Sequence, residues 1–522
     1  MPTSKALPRS LDLLDPRLEL LCDAYLQAAR VPGASIAVVA GDRGYHYSYG
    51  VKSILTGEPV TAETSFNIGS CSKAFVSATV ASLVAAGEVS WDDPISRFVP
   101  ELQLYDPEVT RQVSLRDLSA NRLGIPRAGL TEFGLDPSLP AEFVFENLRH
   151  TPPIHPFRSR HTYVNAGHTA NAVAVGRITG KGFIGTLRER ILEPLGMRAT
   201  SGGAAARTEL ADQAGWHCVA DGEVVAIDTV FSDQYLGGGG MVVSGADALQ
   251  WLRLHLGGGT VDGKQVIPRE ALLETHTPHT AARPGKDILS LFHPTAHMGA
   301  YALGWAVTDL EGHPMVIHSG GDFGIAAMTL IFPKAGIGIT SYCNTSGRGT
   351  IALPYALAAC LLGLRTRDWK AYFEAAAPSP APADETATPE APLDLSPYAG
   401  AYVHPADGPL VVESSAEGLR CRMDRGYRMA FTAVPAGEHR FAMRFDSPEW
   451  RGLMANVRPV LAFTMEEGRA TKADWVVDPK TWNNPWWQRK QTTDVLEGWT
   501  HVLSEAVKPV LGTRFGNDVS GE

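Results

Sequence analysis

One run constrains the fold more than any other. Val76-Ser77-Ala78-Thr79-Val80-Ala81-Ser82-Leu83-Val84-Ala85-Ala86 carries no charge, and its polar members are small hydroxyls. Gly87 follows where a helix commonly ends. A helix of this kind has no face to give to water, so other layers must cover it on every side. It is entered through the polar turn Asn67-Ile68-Gly69-Ser70-Cys71-Ser72-Lys73-Ala74-Phe75. Ser70 falls at the helix start, and Lys73 lies about one turn later on the same face. A serine becomes nucleophilic when a base and a positive potential act on it, and a lysine amine and a helix N-terminus supply both. Alone, Ser-x-x-Lys is equally the pattern of a capping serine beside a solvated lysine.

The covering layers are legible on either side. Leu11 to Ala29 has helical periodicity. Ala34–Ala40 reads as a buried strand, and the turn 41–44 joins it to a partner, Tyr45–Val51. From Trp91 to about Gly202 the pattern is helical and loop-rich, broken by Pro94, Pro100, Pro126, Pro140, Pro152 and Pro153. Gly237 to Gly240 reads as a flexible turn before a helix, Gly245–Leu256. Strand patterns return at Tyr301–Val307, Met315–His318, Ala326–Phe332 and Gly336–Cys343, and an apolar helix, Leu353–Leu364, closes the segment. Strands at both ends with helices between them predict an α+β fold: one antiparallel sheet flanked by helices, with a helical insert and the apolar helix between the two.

Composition changes at Glu374. The Pro/Ala-rich run 375–392 cannot bury a core and reads as an extended linker. Beyond it, short strand patterns recur at 410–412, 419–423, 427–432, 440–445, 461–465 and 473–476, which predicts a C-terminal antiparallel β-barrel. The expected division is 1–373, a linker 374–394, and 395–522. The last part ends in a tail with Trp482, Trp486 and Trp487, expected to pack on a neighbouring domain, and a helical pattern at 495–507.

Several classes of function are disfavoured. A net charge of -10 argues against nucleic-acid binding through phosphate contacts. Six scattered cysteines without Cys-x-x-Cys spacing suggest reduced thiols. No apolar run of about 18 residues and no signal-peptide pattern stands out, so the expectation is a cytoplasmic protein with no membrane partner. The stretch 258–265 nearly matches a phosphate loop, but Gln265 stands where a magnesium-binding hydroxyl is needed. His276, His279, His293 and His297 lack metal-ligand spacing. No metal or cofactor is expected. The partner is a small-molecule or peptide substrate, and the sequence leaves the oligomeric state open.

Three further clusters could complete a site with Ser70, the third being the Gly237 to Gly240 turn, which reads more readily as a flexible loop than as part of the site. In Tyr163-Val164-Asn165 the first and third side chains point the same way if the segment is extended. In His318-Ser319-Gly320-Gly321, glycines at a strand end permit close approach of a substrate backbone. Each is also an ordinary turn pattern. Ser72 faces elsewhere on the helix, and Cys71 is expected to be buried and inert.

The order Ser-x-x-Lys, Tyr-x-Asn, His-x-Gly resembles the serine β-lactamase and penicillin-binding-protein superfamily, most of all its class-C-like branch of serine hydrolases. Val31-Pro32-Gly33-Ala34-Ser35, Asp92-Asp93-Pro94-Ile95, Pro194-Leu195-Gly196-Met197 and Tyr301-Ala302-Leu303-Gly304-Trp305 are similar to that family's wording. The resemblance runs from about Leu18 to Leu364. Leu395 to Tyr402 is similar to the start of the lipocalin-like domain that some members carry. The resemblance implies that Ser70 is the nucleophile and that Lys73 and Tyr163 share its proton, with tyrosinate at Tyr163 the favoured base. It implies that Asn165 binds the substrate amide or orients Lys73. His318, in place of the lysine of many lactamases, holds Tyr163 or polarises the substrate with a pH-dependent charge. The amides of Ser70 and Gly321, beside Gly320, form an oxyanion hole. Asn121, where the family usually has histidine, is structural. The implied activity is hydrolysis through an acyl-enzyme. A peptidase or amidase on short or unusual peptides, such as D-residue-containing or linearised cyclic ones, ranks first. A carboxylesterase, a β-lactamase or D-alanyl-D-alanine carboxypeptidase, and a non-catalytic sensor of the same fold remain as alternatives.

Overall fold

The computed structural model describes the chain from residue 16 to residue 489, apart from 127–139, 147, 229–231, 285–290, 293–294, 323, 366, 377–393, 405–407, 424–428, 449, 452–458 and 477–485. The central sheet is antiparallel and draws on both ends of the first segment. Its strands are β1 (Gly33–Ala40), β2 (Arg43–Gly50), β3 (Thr280–Ala281), β4 (Gly299–Tyr301), β5 (Ala306–Leu310), β6 (His313–Asp322), β7 (Ile325–Phe332) and β8 (Ile337–Cys343). Their spatial order is β3-β4-β5-β6-β7-β8-β1-β2. The N-terminal hairpin is therefore zipped onto the last strand, with Ala34 opposite Cys343 and Ala40 opposite Ile337. β1, β7 and β8 are buried almost throughout, as strands covered on both faces must be.

Helices α1 (Pro16–Ala28) and α5 (Arg348–Leu362) cover one face. Their side chains join the sheet residues Ile36, Ile317, Leu330 and Ile339 in one apolar cluster. The other face carries α2 (Ser72–Ala85), α3 (Asn165–Thr179) and α4 (Gly245–Leu256). Every residue of α2 from Ser72 to Leu83 is buried. Two of its hydroxyls are absorbed locally: Thr79 Oγ1 donates to Phe75 O at 2.8 Å, and Ser82 Oγ donates to Thr79 O at 2.7 Å. Phe75 stacks on Trp251 of α4, with ring centroids 3.9 Å apart. Such a pair is worth about 0.5–1.5 kcal/mol beyond its burial. The loop-rich insert supplies the remaining cover, with short helices at Pro107–Gln112 and Leu115–Ser119.

Three very short strands, Ser65–Asn67, Thr200–Gly202 and Met241–Ser244, form a second small sheet that sequence reading missed. A hairpin, Trp216–Ala220 with Glu223–Ile227, lies against Gly324 at the tip of the β6–β7 turn.

The C-terminal segment is a meander of seven antiparallel strands from Gly400–His404 to Arg469–Val476. Trp486–Arg489 pairs with both the first and the seventh and closes the barrel. Alternate residues such as Leu410, Val412, Leu419, Cys421, Phe431 and Phe441 fill its interior. Arg451 Nε lies 3.1 Å from Asp221 Oδ2, linking barrel and hairpin. Trp486 and Trp487, expected in a tail, belong to the closing strand. The helix Trp369–Ala376 runs past Glu374. Most of the expected linker, Trp482 and the pattern at 495–507 lie outside the described residues. Among the described residues, no helix is long and apolar enough to cross a membrane.

Candidate active site

A short 3-10 turn, Gly69–Cys71, leads into α2 and places Ser70 at the helix entry. Asn67 Oδ1 accepts from Gly69 N at 2.8 Å and fixes the turn from within. Ser72 Oγ donates to Gly69 O at 2.6 Å and accepts from Met241 N at 2.9 Å, so it is engaged on the far side. Cys71 is buried, and its Sγ is 3.2 Å from His318 O. Burial pushes its thiol up to about 12, the inert behaviour expected of it.

Lys73 has no solvent exposure. Its Nζ donates to Ser70 Oγ at 3.0 Å, to Asn165 Oδ1 at 2.8 Å and to the carbonyl of Gly238. A buried ammonium is costly unless oxygen acceptors replace its water shell, and these three do so. Gly238 lies in a helical turn, Leu236–Gly239. The glycine segment read from sequence as a flexible turn is therefore fixed, with one carbonyl on the lysine.

Tyr163 and Asn165 reach the same lysine from the start of α3. Asn121 steers this segment: it accepts from Val164 N through Oδ1 at 3.0 Å, and its own carbonyl accepts from Thr162 N at 2.8 Å. That is the structural role expected for it. Asn165 is 1% exposed, with its oxygen on Lys73. This bond is the contact that orienting the lysine would need. The Lys73 Nζ lies 4.7 Å from the centre of the Tyr163 ring.

His318, on β6, has no exposure. Its Nδ1 lies 2.7 Å from Ser319 O, and its Nε2 lies 2.8 Å from the Tyr301 hydroxyl. Its ring centroid is 6.3 Å from that of Tyr163. Burial, and then the charge of Lys73, push its pKa down to about 3. The pH-dependent charge expected of it near neutrality is thus not what this environment favours.

Gly320 and Gly321 sit next to Ser70 on β6, and they differ. A Cβ on Gly320 would lie 1.9 Å from Ile68 O, so only a glycine lets the strand meet the Ser70 turn. A Cβ on Gly321 would meet nothing within 4 Å, which leaves that position open. The site therefore gathers Ser70, Lys73, Tyr163, Asn165, His318, Gly320 and Gly321 from three separate chain segments.

Sequence reading missed three neighbours, Tyr301, His161 and His168, and weighed Gly238 only as part of a flexible glycine turn. Gly238 and Tyr301 have been described above. His161 lies with its ring 4.8 Å from that of Tyr301 and 6.2 Å from that of Tyr163. His168, one turn along α3 from Asn165, is fully enclosed, and neither ring nitrogen has a hydrogen-bond partner. Burial and the charge of Lys73 hold its pKa well below the usual histidine range. Only Tyr301 had a local signal, through its place in Tyr301–Trp305. The histidines once weighed as metal ligands are dispersed: His276 bonds His255 at 2.9 Å, His279 faces Glu274, and His297 faces Asp309. His293 lies outside the described residues. Among the described residues, no group of three or more His, Cys, Asp or Glu is placed to hold a metal.

Comparison with known proteins bears on the family and the fold. The profile of the Beta-lactamase family matches residues 18–361. An unguisins hydrolase of Aspergillus campestris is 24% identical over 431 residues, covering 76% of this chain and 77% of that protein. Penicillin-binding protein 4 of Amycolatopsis lactamdurans is 25% identical over 397 residues, covering 74% and 97%. Among solved structures, the octameric penicillin-binding protein homologue from Pyrococcus abyssi superposes with a TM-score of 0.58 at 19% identity, over 92% of this chain and all of that one.

Proposed function

We propose, from the premise that this chain belongs to the Beta-lactamase family of serine hydrolases, that it hydrolyses short or unusual peptides or amides through an acyl-enzyme at Ser70. The observation that carries the reading is the Lys73 ammonium, wholly buried and bonded to Ser70 Oγ at 3.0 Å and Asn165 Oδ1 at 2.8 Å. Nothing about stability calls for a buried cation there, since burying an ammonium costs several kcal/mol. A nucleophile does call for one.

In this reading Tyr163 is the base. The nearby ammonium favours its phenolate, which takes the Ser70 proton as Oγ attacks the carbonyl carbon. The negative charge on the former carbonyl oxygen is met by backbone amides of Ser70 and Gly321. The tetrahedral species collapses, the proton passes to the departing amine, and the ester on Ser70 remains. Water then repeats the sequence and releases the acid. Asn165 and Gly238 hold Lys73 in place throughout.

A relative named as an unguisins hydrolase matches three quarters of the chain, which supports a hydrolytic reading. The test is turnover of peptide p-nitroanilides and p-nitrophenyl esters by wild type and Ser70→Ala. The expected result is turnover in the wild type and a loss of at least about 10³-fold in the variant. Unchanged turnover in the variant refutes the nucleophile, and an inert wild type refutes the enzyme.

A further inference from the structure

We propose that His318 is a positioning residue rather than a cation for substrate, and that the subsite beside it takes an uncharged group: an amide, an ester or the next residue of a longer chain, not a free carboxylate. The proposal rests on the acyl-enzyme reading for its substrate half, and on the geometry of the imidazole alone for the other.

Both ring nitrogens of His318 are already committed. Ser319 O is a carbonyl and can only accept, so Nδ1, 2.7 Å away, carries a proton. In the neutral ring Nε2 is then an acceptor, and the Tyr301 hydroxyl 2.8 Å away donates to it. Tyr301 is itself fully enclosed, and burial holds it in the protonated, donating form. The two bonds select one tautomer and leave the ring no free lone pair or N–H for a substrate.

The surroundings hold that tautomer neutral. Among the described residues, the groups facing His318 are Lys73 from α2, Tyr301 from β4, Tyr163 and His161 from the segment before α3, His168 from α3, and Cys71 from the Ser70 turn. None is a carboxylate, and the one permanent charge among them has the same sign as an imidazolium. A second cation with no exposure would meet only a phenol and a carbonyl. The N–H groups of Lys73 point at Ser70, Asn165 and Gly238. A carboxylate set against this wall gains no counter-charge from His318 and loses its hydration. A neutral amide or ester loses far less.

Tyr301 thus acts through His318. It keeps the imidazole in register with Ser319 and Gly320, the stretch of β6 that abuts the Ser70 turn.

Two measurements test this. In protein labelled with ¹⁵N-histidine, either His318→Gln or Tyr301→Phe identifies the His318 signals. They are expected to show the neutral Nδ1–H tautomer at pH 7, unchanged down to pH 5, with Tyr301→Phe shifting the Nε2 resonance and lowering kcat about tenfold at similar KM. An imidazolium pattern at pH 7, or a midpoint between pH 5.5 and 7, overturns the proposal whatever the activity. The second measurement sets N-benzoylglycyl-alanine against its C-terminal amide and methyl ester as competitors of p-nitrophenyl acetate hydrolysis. The amide and ester are expected to compete at least tenfold better than the acid, by a ratio constant from pH 5.5 to 8. An acid that competes equally, or gains as the pH falls through 6.5, overturns the subsite. Where none of the three competes, the tautomer decides alone. Ser70→Ala on the ester tests the acyl-enzyme reading separately.

Discussion

Gly320→Ala is a one-atom perturbation whose consequence follows from distances. The added Cβ would lie 1.9 Å from Ile68 O, 2.8 Å from Ile68 C and 3.2 Å from the Cβ of Ala327. Ordinary contact begins near 3.4 Å, so roughly 1.5 Å must open between β6 and the Ser70 turn. Neither side yields easily. β6 is bonded to β7, with Gly320 opposite Ala327, and Ile68 N is bonded to Met241 O at 3.0 Å. Overpacking of this kind costs about 1–3 kcal/mol. The turn that moves carries Ser70, and a displacement of about 1 Å at a reacting group can cost about 10²-fold in rate. The expected outcome is a fall in Tm of several degrees and a drop in kcat of at least tenfold on a p-nitrophenyl ester. Gly321→Ala, one residue along, meets nothing within 4 Å and is the control for stability: its Tm is expected within about 1 °C of wild type. Thermal unfolding and steady-state kinetics on both variants provide the check. A Gly320→Ala protein with wild-type Tm and kcat would refute the argument that close packing places the nucleophile.

Other perturbations have equally definite signs. Lys73→Met removes a buried cation and fills its space, so kcat is expected to fall by about 10³-fold or more while Tm drops by no more than about 2 °C, or rises; a Tm loss beyond about 5 °C in thermal melts would show that the lysine is there for stability. Tyr163→Phe is expected to lower kcat by about 10²- to 10⁴-fold, the usual range for losing a general base, and stopped-flow acylation within threefold of wild type would remove it from that role. Acid weakens the fold through histidines held neutral by burial: His276 and His46 are each pushed down from 6.5 to about 4. A depressed histidine pKa means that the unfolded chain binds protons the folded one refuses, so stability is full above about pH 6.5 and declines as pH falls toward 4. Each such group can remove up to about 3 kcal/mol over that window, which urea melts at pH 7.5 and pH 5 would register, and equal midpoints would contradict the burial argument.

What could be read from the sequence was local. The all-round apolar helix forced a multilayered fold, and α2 is buried as that pattern requires. Ser70, Lys73, Tyr163 and Asn165 could be picked out because each pair sits in one short motif. What remained hidden depends on tertiary contact. Nothing adjacent to Gly238 hints that its carbonyl accepts from a lysine 165 residues earlier. His318 was recognised, but the burial and the Tyr301 hydroxyl that bear on its charge lie outside its motif. The strands Ser65–Asn67, Thr200–Gly202 and Met241–Ser244 have three or four residues each, too few for a period of two to register. In the barrel the alternation of apolar and polar residues was long enough to be seen, and the closing strand Trp486–Arg489 was not.

The central claim is a covalent bond at Ser70, and trapping that bond tests it most directly. Wild-type protein quenched in acid during turnover of a slow p-nitrophenyl ester, digested and read by mass spectrometry, should carry the acyl mass on the peptide that contains Ser70, and Ser70→Ala should carry none. An acyl group found elsewhere, or turnover undiminished in Ser70→Ala, would contradict the account.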